Sequence, residues 1–433
     1  MSHSILDMNT ILQEIPYWLD PPPLAKSYRK IPLPEKTDVL IVGGGYTGIT
    51  AAIRLRQNGA EVTVIDREQL GSAASARNGG MTLTGLSESL LSVLKKLGEE
   101  KARQFFAESL ESVNCVERLV REGNIDCDFK RHGHIVAAYK PAHFEMLMRE
   151  QEFLGTRFDH LTRLIQPSEM RSEIGSDRYH GALIDPQSAG LHPAKYIAGL
   201  IKMADQLGVD LHAEVTAEHI KFQDGQFLIT TNQGPLTAVQ VVIATNGYTG
   251  NLVPWLQRRI FPVESLMIAT AELPQDLALE LVPNDRMIYD TKRMLYYFRL
   301  SPDQKRILFG GRPKSSRFAL RQNADLMRQH MLWVYPQLSN CKIEYVWSGK
   351  VGFTMDRFPH IGRKDGIYYA LGYCGHGTAL ATYLGEKLAE MILGNGINTA
   401  FAHRKFKALP FYTGNPWFTP LLNCYFSMLD RIR

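Results

Sequence analysis

The chain runs to 433 residues, 45% hydrophobic and 21% charged, with a formal net charge of +5. It is long enough to bury two sizeable cores and too evenly mixed to be fibrous or disordered. The positive charge is spread out, without a basic block, zinc-finger spacing or an RNP-type aromatic motif, which argues against a nucleic-acid partner. Five cysteines, Cys115, Cys127, Cys341, Cys374 and Cys424, make no C-x-x-C and no zinc-spaced group with histidine. They read as free thiols in a reducing compartment, with no metal site. With no leader-like N-terminus and no apolar run of membrane-spanning length, the expected location is the cytoplasm.

Residues 1–36 read as an irregular arm containing Pro16, Pro21, Pro22, Pro23, Pro32 and Pro34, with Tyr17 and Trp18 as a packing clip. An apolar run at 39–42 then opens into G-x-G-x-x-G at Gly43, Gly45 and Gly48. A helix-compatible segment (49–58), Gly59 and a second apolar run (62–65) ending at Asp66 complete a βαβ unit. Gly43 permits the tight turn, Gly45 lets a pyrophosphate approach the backbone, and Gly48 lets the helix pack close to the sheet. The helix start, with Tyr46 and Thr47 in its first turn, offers N–H groups and partial positive charge to a diphosphate. Asp66 is placed to accept hydrogen bonds from ribose hydroxyls. Arg67 beside it leaves a phosphorylated nucleotide open, against which the acid argues.

The loop at 71–80 separates the dinucleotides. Its small residues suit close contact with a large planar ligand, and Ser75, Arg77, Asn78, Gly79 and Gly80 supply a hydroxyl, a guanidinium, an amide and a glycine pair. Nicotinamide enzymes do not usually carry such a loop, so the expected cofactor is a flavin.

Residues 88–180 are mostly helical and charged in pattern, as at 101–122 and 143–154, with Cys127-Asp128-Phe129 and residues 134–139 read as strands of a second sheet. His192-Pro193 opens a helix at 194–207. A hairpin-like stretch passes Gly225 and Gly234, and the continuous apolar run at 239–244 is a buried-strand pattern that returns to the first domain. Residues 251–349 show short alternating or aromatic runs that suit an antiparallel substrate-domain sheet. On it, Tyr297 and Arg299 share one face and Tyr296 takes the other. Arg299 and Arg312 are read either as clamps for a substrate carboxylate or as ordinary ion-pair residues. Lys350 is read either as assisting oxygen reduction or as a solvated lysine.

A strand at 367–371 leads through Gly372-Tyr373-Cys374-Gly375-His376-Gly377-Thr378 into a helix at 379–393. Such a turn aims N–H groups and a positive dipole outward, where reduced flavin gathers negative charge near N1 and the C2 carbonyl. His376 either sits by that ring or caps its helix away from it. Residues 409–433, rich in proline, aromatics and leucine, are read as packing on the body, with contact to a membrane surface as the alternative.

Seven stretches together resemble the glycine/D-amino-acid oxidase (DAO) family of flavoproteins over about residues 37 to 395: 42–48, 75–80, 176–183, His192-Pro193, 244–248, 296–300 and 372–377. With the patterns above, the resemblance implies an α/β fold in which a Rossmann-like FAD-binding domain (37–87, 181–250 and 350–395) is interleaved with an antiparallel-sheet substrate domain (88–180 and 251–349). A C-terminal extension (396–433) follows. It implies that Val215 meets the adenine, that Thr245 and Gly247 pack beside the cofactor, and that Gly375, His376, Gly377 and Thr378 lie at the ring of a non-covalent FAD. His376, Tyr297, Arg299 and Lys350 become the catalytic candidates. The implied reaction is hydride transfer from a small-molecule amine or amino acid to flavin N5, with hydrolysis of the imine and reoxidation by O2 to H2O2. The alternatives are a dehydrogenase of the same fold serving a quinone or carrier protein, and a flavin-binding protein without turnover. Three positions depart from the pattern: Asp66 replaces the usual Glu, and Cys374 and Lys350 stand where a related oxidase has Ser and Asn.

Overall fold

The computed structural model describes residues 12–23, 28, 32–313 and 319–432. Of the expected arm, residues 1–11, 24–27 and 29–31 lie outside them. Two eight-stranded sheets organise the chain. The first has the order His360–Lys364, Ile367–Leu371, Gly234–Ile243, Lys36–Val42, Val62–Asp66, Asp210–Ala213, with the hairpin Ala217–Gln223 and Gln226–Thr231 attached to Gly234–Ile243. Lys36–Val42 pairs in parallel with both neighbours. Parallel strands covered on both faces must be apolar throughout, which is why Leu40 and Ile41 are fully buried.

Helices Tyr46–Gln57, Pro193–Gln206 and Gly377–Ile392 cover this sheet. The first and last cross closely at Gly385, where a Cβ would come within 2.6 Å of the Thr47 carbonyl oxygen. The arm is pinned to the body by Trp18, 1% exposed and edge-on to His192, and by Tyr345, whose hydroxyl donates to Asp20 (2.9 Å).

The second sheet has the order Ile343–Phe353, Phe261–Thr270, Ile307–Gly311, Tyr297–Leu300, Met287–Asp290, His134–Ala137, Ala182–Asp185, Arg163–Ile165. It is antiparallel except where Met287–Asp290 meets His134–Ala137. Among the described residues, no helix is long and apolar enough to cross a membrane.

Several sequence expectations need correction. Cys127-Asp128-Phe129 is not a strand: Asp128 has φ +53°, incompatible with extended backbone, and only Lys130 makes an isolated bridge, to Gly190. Ala182–Asp185 belongs to the second sheet, so the return to the first falls after 185 rather than at 181. Ile343–Phe353 likewise carries the second sheet past residue 350. Helix Glu99–Glu122, expected on the substrate side, packs on Gly377–Ile392, and its Phe105, Val113 and Val116 share a core with Val39 and Ile41. The segment after 396 is partly core: Phe401 is fully buried and Phe406 stacks on His360 at 4.0 Å.

His192 caps Pro193–Gln206 by accepting the Lys195 amide at Nδ1 (3.2 Å), a role only the unprotonated nitrogen can play. Burial, with the nearby Lys195 charge, pushes its pKa down to about 4. The fold therefore prefers the neutral ring. Stability from this group is complete above pH 6.5 and declines as the pH falls toward 4, by about 2 kcal/mol at pH 5. His192→Asn keeps a cap that does not titrate. Its urea midpoint is expected to drop less than the wild type's between pH 7 and pH 5, and equal drops would refute the linkage.

Candidate active site

The glycine turn is held as its sequence requires. Gly43 has φ +112°, and a Cβ on Gly48 would run into the Gly43 carbonyl oxygen. Gly45 precedes helix Tyr46–Gln57 in extended geometry, and a Cβ there would lie 2.9 Å from Ser75 Oγ. Ser75 Oγ accepts the Tyr46 amide (3.1 Å), and Asp66 Oδ2 accepts the Gly44 amide (2.8 Å). The carboxylate thus holds the turn. Val215 continues that edge, its amide donating to the Asp66 carbonyl (2.8 Å). Thr47 Oγ1 meets the Tyr373 hydroxyl at 2.6 Å, tying this turn to the one that starts the last buried helix.

The loop at 71–80 folds around its own polar groups. Arg77 donates to the Ser72 and Ser348 carbonyls (2.9 and 3.3 Å), and Asn78 donates to the Ala74 and Ser75 carbonyls while accepting the Gly80 amide (2.8 Å). Thr378 Oγ1 reaches Asn78 Oδ1 at 3.4 Å, joining this loop to the other glycine turn. Gly247 lies against Lys350 and Gly352, Thr245 pairs with Thr249 (2.7 Å), and Asn246 Oδ1 accepts the Gly372 amide (2.9 Å). The sequence marks Ala244-Thr245-Asn246-Gly247 as a stretch beside the cofactor without showing that Asn246 holds the Gly372 turn. Its position in Ala244-Thr245-Asn246-Gly247, directly after a buried strand, was the available signal.

A cavity of about 710 Å³ brings Arg77, Asn78, Gly79, Lys350, Cys374, Gly375, His376 and Thr378 together with Tyr297 and Arg312. Where the turn before helix Gly377–Ile392 enters it, Gly375 has φ +99° and open space where a Cβ would be. His376 caps helix Gly377–Ile392 by position only, and its buried Nδ1 has no partner among the described residues. Burial, with the His134 and Arg357 charges, lowers its pKa to about 4, so the ring is neutral at pH 7. Cys374 Sγ donates to the Gly372 carbonyl (3.2 Å), and burial raises the thiol to about 11.

Strand register builds the cavity roof. Gly310, Tyr297, Tyr289, Val136 and Leu183 form one row across five adjacent strands, so Tyr297, Tyr289, Val136 and Leu183 face the same space. The Tyr297 ring lies on Gly310, and its hydroxyl meets Ser265 Oγ at 2.9 Å. Burial pushes that phenol up to about 12, so it stays protonated. Lys350 lies at the edge, its Nζ 5.6 Å from the centroid of the Tyr248 ring, with Arg67 5.9 Å from that centroid.

Arg299 does not reach this cavity. It is 5% exposed and donates to the Gly80, Leu191 and Leu300 carbonyls (3.1, 3.0 and 3.0 Å). It braces the turn after Asn78, which is neither the carboxylate clamp nor the ion pair that the sequence left open, since its partners among the described residues are carbonyls. Arg312 does face the cavity. Its guanidinium reaches Asn423 (3.4 Å) and lies near the Phe353 and Phe426 rings, with no carboxylate in ion-pair range among the described residues.

These residues fit FAD. A helix start with a glycine cradle suits the diphosphate, and the Ala74–Gly79 and Cys374–Thr378 turns suit the ring. The fold and site therefore define a two-sheet flavoprotein of the dinucleotide-binding type. The match to the family described as "DAO: FAD dependent oxidoreductase" covers residues 38–391, and the chain belongs to that family. It is 34% identical over 367 residues to a probable oxidoreductase OrdL of Haemophilus influenzae, covering 83% of this chain and 84% of that one. It is 31% identical over 407 residues to the gamma-glutamylputrescine oxidoreductase of Escherichia coli, covering 91% and 93%. Among solved structures, glycine oxidase from Geobacillus kaustophilus shares the fold with TM-score 0.70 at 18% identity, covering 88% of this chain and 99% of that one.

Gly45→Val would place its side chain against Ser75 in the diphosphate path. The variant is expected to purify colourless with an unchanged far-ultraviolet spectrum, and a yellow product would overturn the assignment of this turn.

Proposed function

We propose that the chain oxidises a primary or secondary amine, or an amino acid, to an imine that hydrolyses to a carbonyl compound, with O2 as the final acceptor giving H2O2. The observation that carries this is the single cavity into which the two ring-facing turns and the Tyr297 row all open. The name of the Escherichia coli relative, an amine-derivative oxidoreductase, supports it. The bound FAD would supply the hydride acceptor.

The protein's part is positioning and electrostatics. The start of Gly377–Ile392 directs its dipole at the ring end, where negative charge grows during reduction. Neutral His376 stands there without adding a charge. Protonated Tyr297, anchored by Ser265, closes the substrate side as a hydrogen-bonding group rather than a base. Arg312 is the cation available to a substrate carboxylate, since a guanidinium pairs with carboxylates in bidentate fashion. Lys350, at the cavity edge, is our candidate for assisting oxygen reduction. Burial of the Cys374 thiol supports a non-covalent cofactor, and a cytoplasmic location is part of the same reading.

A second reading, electron transfer to a quinone or carrier protein, draws on the C-terminal helix Thr419–Ile432. Leu422, Asn423 and Phe426 line the cavity mouth, while Leu421, Tyr425 and Met428 are exposed, as is Trp417 just before the helix.

Anaerobic bleaching of the yellow protein by a panel of amines and amino acids tests the main reading. At least one class should bleach it, and admitting air should restore colour with stoichiometric peroxide. Recovery only with a quinone or dye would favour the second reading. Acid precipitation should leave the colour in solution, and a yellow pellet would refute non-covalent binding.

A further inference from the structure

The cavity extends well past the ring-facing turns. From Tyr297 through Tyr289 to Val136 the row crosses two strand spacings, about 10 Å. There helix Pro141–Phe158 covers the sheet, its Phe144 and Leu147 packed with Leu183 and Val136. Glu150 of that helix lines the cavity beside Leu154 and Thr162, with no hydrogen-bond or ion-pair partner among the described residues. The buried Thr162 hydroxyl also lacks a partner.

A second carboxylate, Asp185, lines the same arm. Its Oδ2 accepts the Thr84 hydroxyl (2.6 Å) and meets His160 Nε2 (2.9 Å). Burial alone would raise its pKa, but the His160 hydrogen bond, the histidine charges and Thr84 hold it at about 2. Both acids bear on the Tyr289 hydroxyl, whose pKa is raised by burial first and then by Glu150 and Asp185. Burial pushes the pKa of nearby His134 down, and its Nδ1 meets Ser188 Oγ (2.8 Å). Of the cations that line the cavity, Lys292 pairs with Asp290 (3.0 Å) and Arg357 with Glu88 (3.3 Å), Arg312 lies at the mouth against Asn423, and none of them is paired with Glu150.

We propose that this arm receives a second, non-reacting ammonium group of the substrate, with Glu150 as the specificity-determining residue. The inference rests on the amine-oxidising reading and deepens it. The substrate class is an elongated amine carrying another protonated nitrogen about 10 Å from the carbon oxidised, the length of two strand spacings. A diamine or polyamine derivative meets that description, and a short α-amino acid does not. An ammonium group entering the arm gives the unpaired carboxylate a charge-assisted partner. A methyl group in its place leaves the carboxylate desolvated and uncompensated. Selectivity therefore comes largely from rejecting chains that end in an apolar group.

The test is the anaerobic rate of flavin bleaching in the holoenzyme with octane-1,8-diamine and with octylamine, which differ only in the distal nitrogen. The wild type is expected to favour the diamine by at least about ten-fold in kcat/KM. Glu150→Gln should bring the ratio close to one, mainly through KM. Glu150→Asp, which keeps the charge and serves if the Gln variant fails to hold FAD, should retain part of the preference. Glu145→Gln, exposed on the same helix, should keep both rates at wild-type values. A wild-type ratio near one, or a ratio unchanged in Glu150→Gln, would overturn the proposal and leave amine oxidation standing. Failure of every amine in the wider panel to bleach the protein would remove both.

Discussion

The close crossing of Tyr46–Gln57 with Gly377–Ile392 fixes how their two N-termini, the proposed supports of the dinucleotide, lie relative to each other. Gly385 makes the crossing possible, because any side chain there would press on the Thr47 carbonyl. The Thr47–Tyr373 hydroxyl contact then joins the two turns directly. Each helix end carries about half a positive charge, and such a dipole acts only within a turn or so of its end. A small slip between the helices would leave one of them aimed at the wrong part of an extended dinucleotide. The Asn246 carboxamide, accepting the Gly372 amide, and the Thr378–Asn78 contact lock the same junction from two further sides.

The legible part of this architecture was the part set by neighbours in sequence. The first strand, glycine turn, helix and Asp66 form a local unit whose residue types follow from backbone geometry, and the strand–turn–helix around Gly375 could be read the same way. Alternation correctly separated Tyr296 from Tyr297. It could not show that Arg299, two residues on, would meet the Gly80 and Leu191 carbonyls before reaching the cavity, because that depends on a segment far away in the chain. Asp128 illustrates another limit. An apolar–polar–apolar triplet looks like a strand, but a left-handed backbone overrides it. Glu150 sits on a helix with two exposed acids, Glu145 and Glu152, and only the register of strands it does not belong to distinguishes it.

The C-terminal helix joins the cavity to the outer surface. Asp430 accepts the Arg293 and Met294 amides (both 2.9 Å), and Asn423 meets Arg312, so its inner face is tied to the substrate sheet at the mouth. The apolar side chains on its other face are too many to count as scattered surface residues. The element that borders the cavity mouth is therefore also the one that presents this patch to the surroundings.

The order in which the chain visits its sheets has a consequence during synthesis on the ribosome. Lys36–Val42 lies between Val62–Asp66, which emerges soon after it, and Gly234–Ile243, which emerges far later. The edge beyond that is covered along 234–238 by Gln226–Thr231, but along 241–243 only by Ile367–Leu371. Until then the nascent chain carries an apolar strand with one side unpaired, open to misplaced pairing with other chains. Long-range parallel pairing is also slow to form. The nucleotide-binding layer, although encoded first, is among the last parts of the molecule to close, and a chain cut short before residue 371 would expose its most apolar strands.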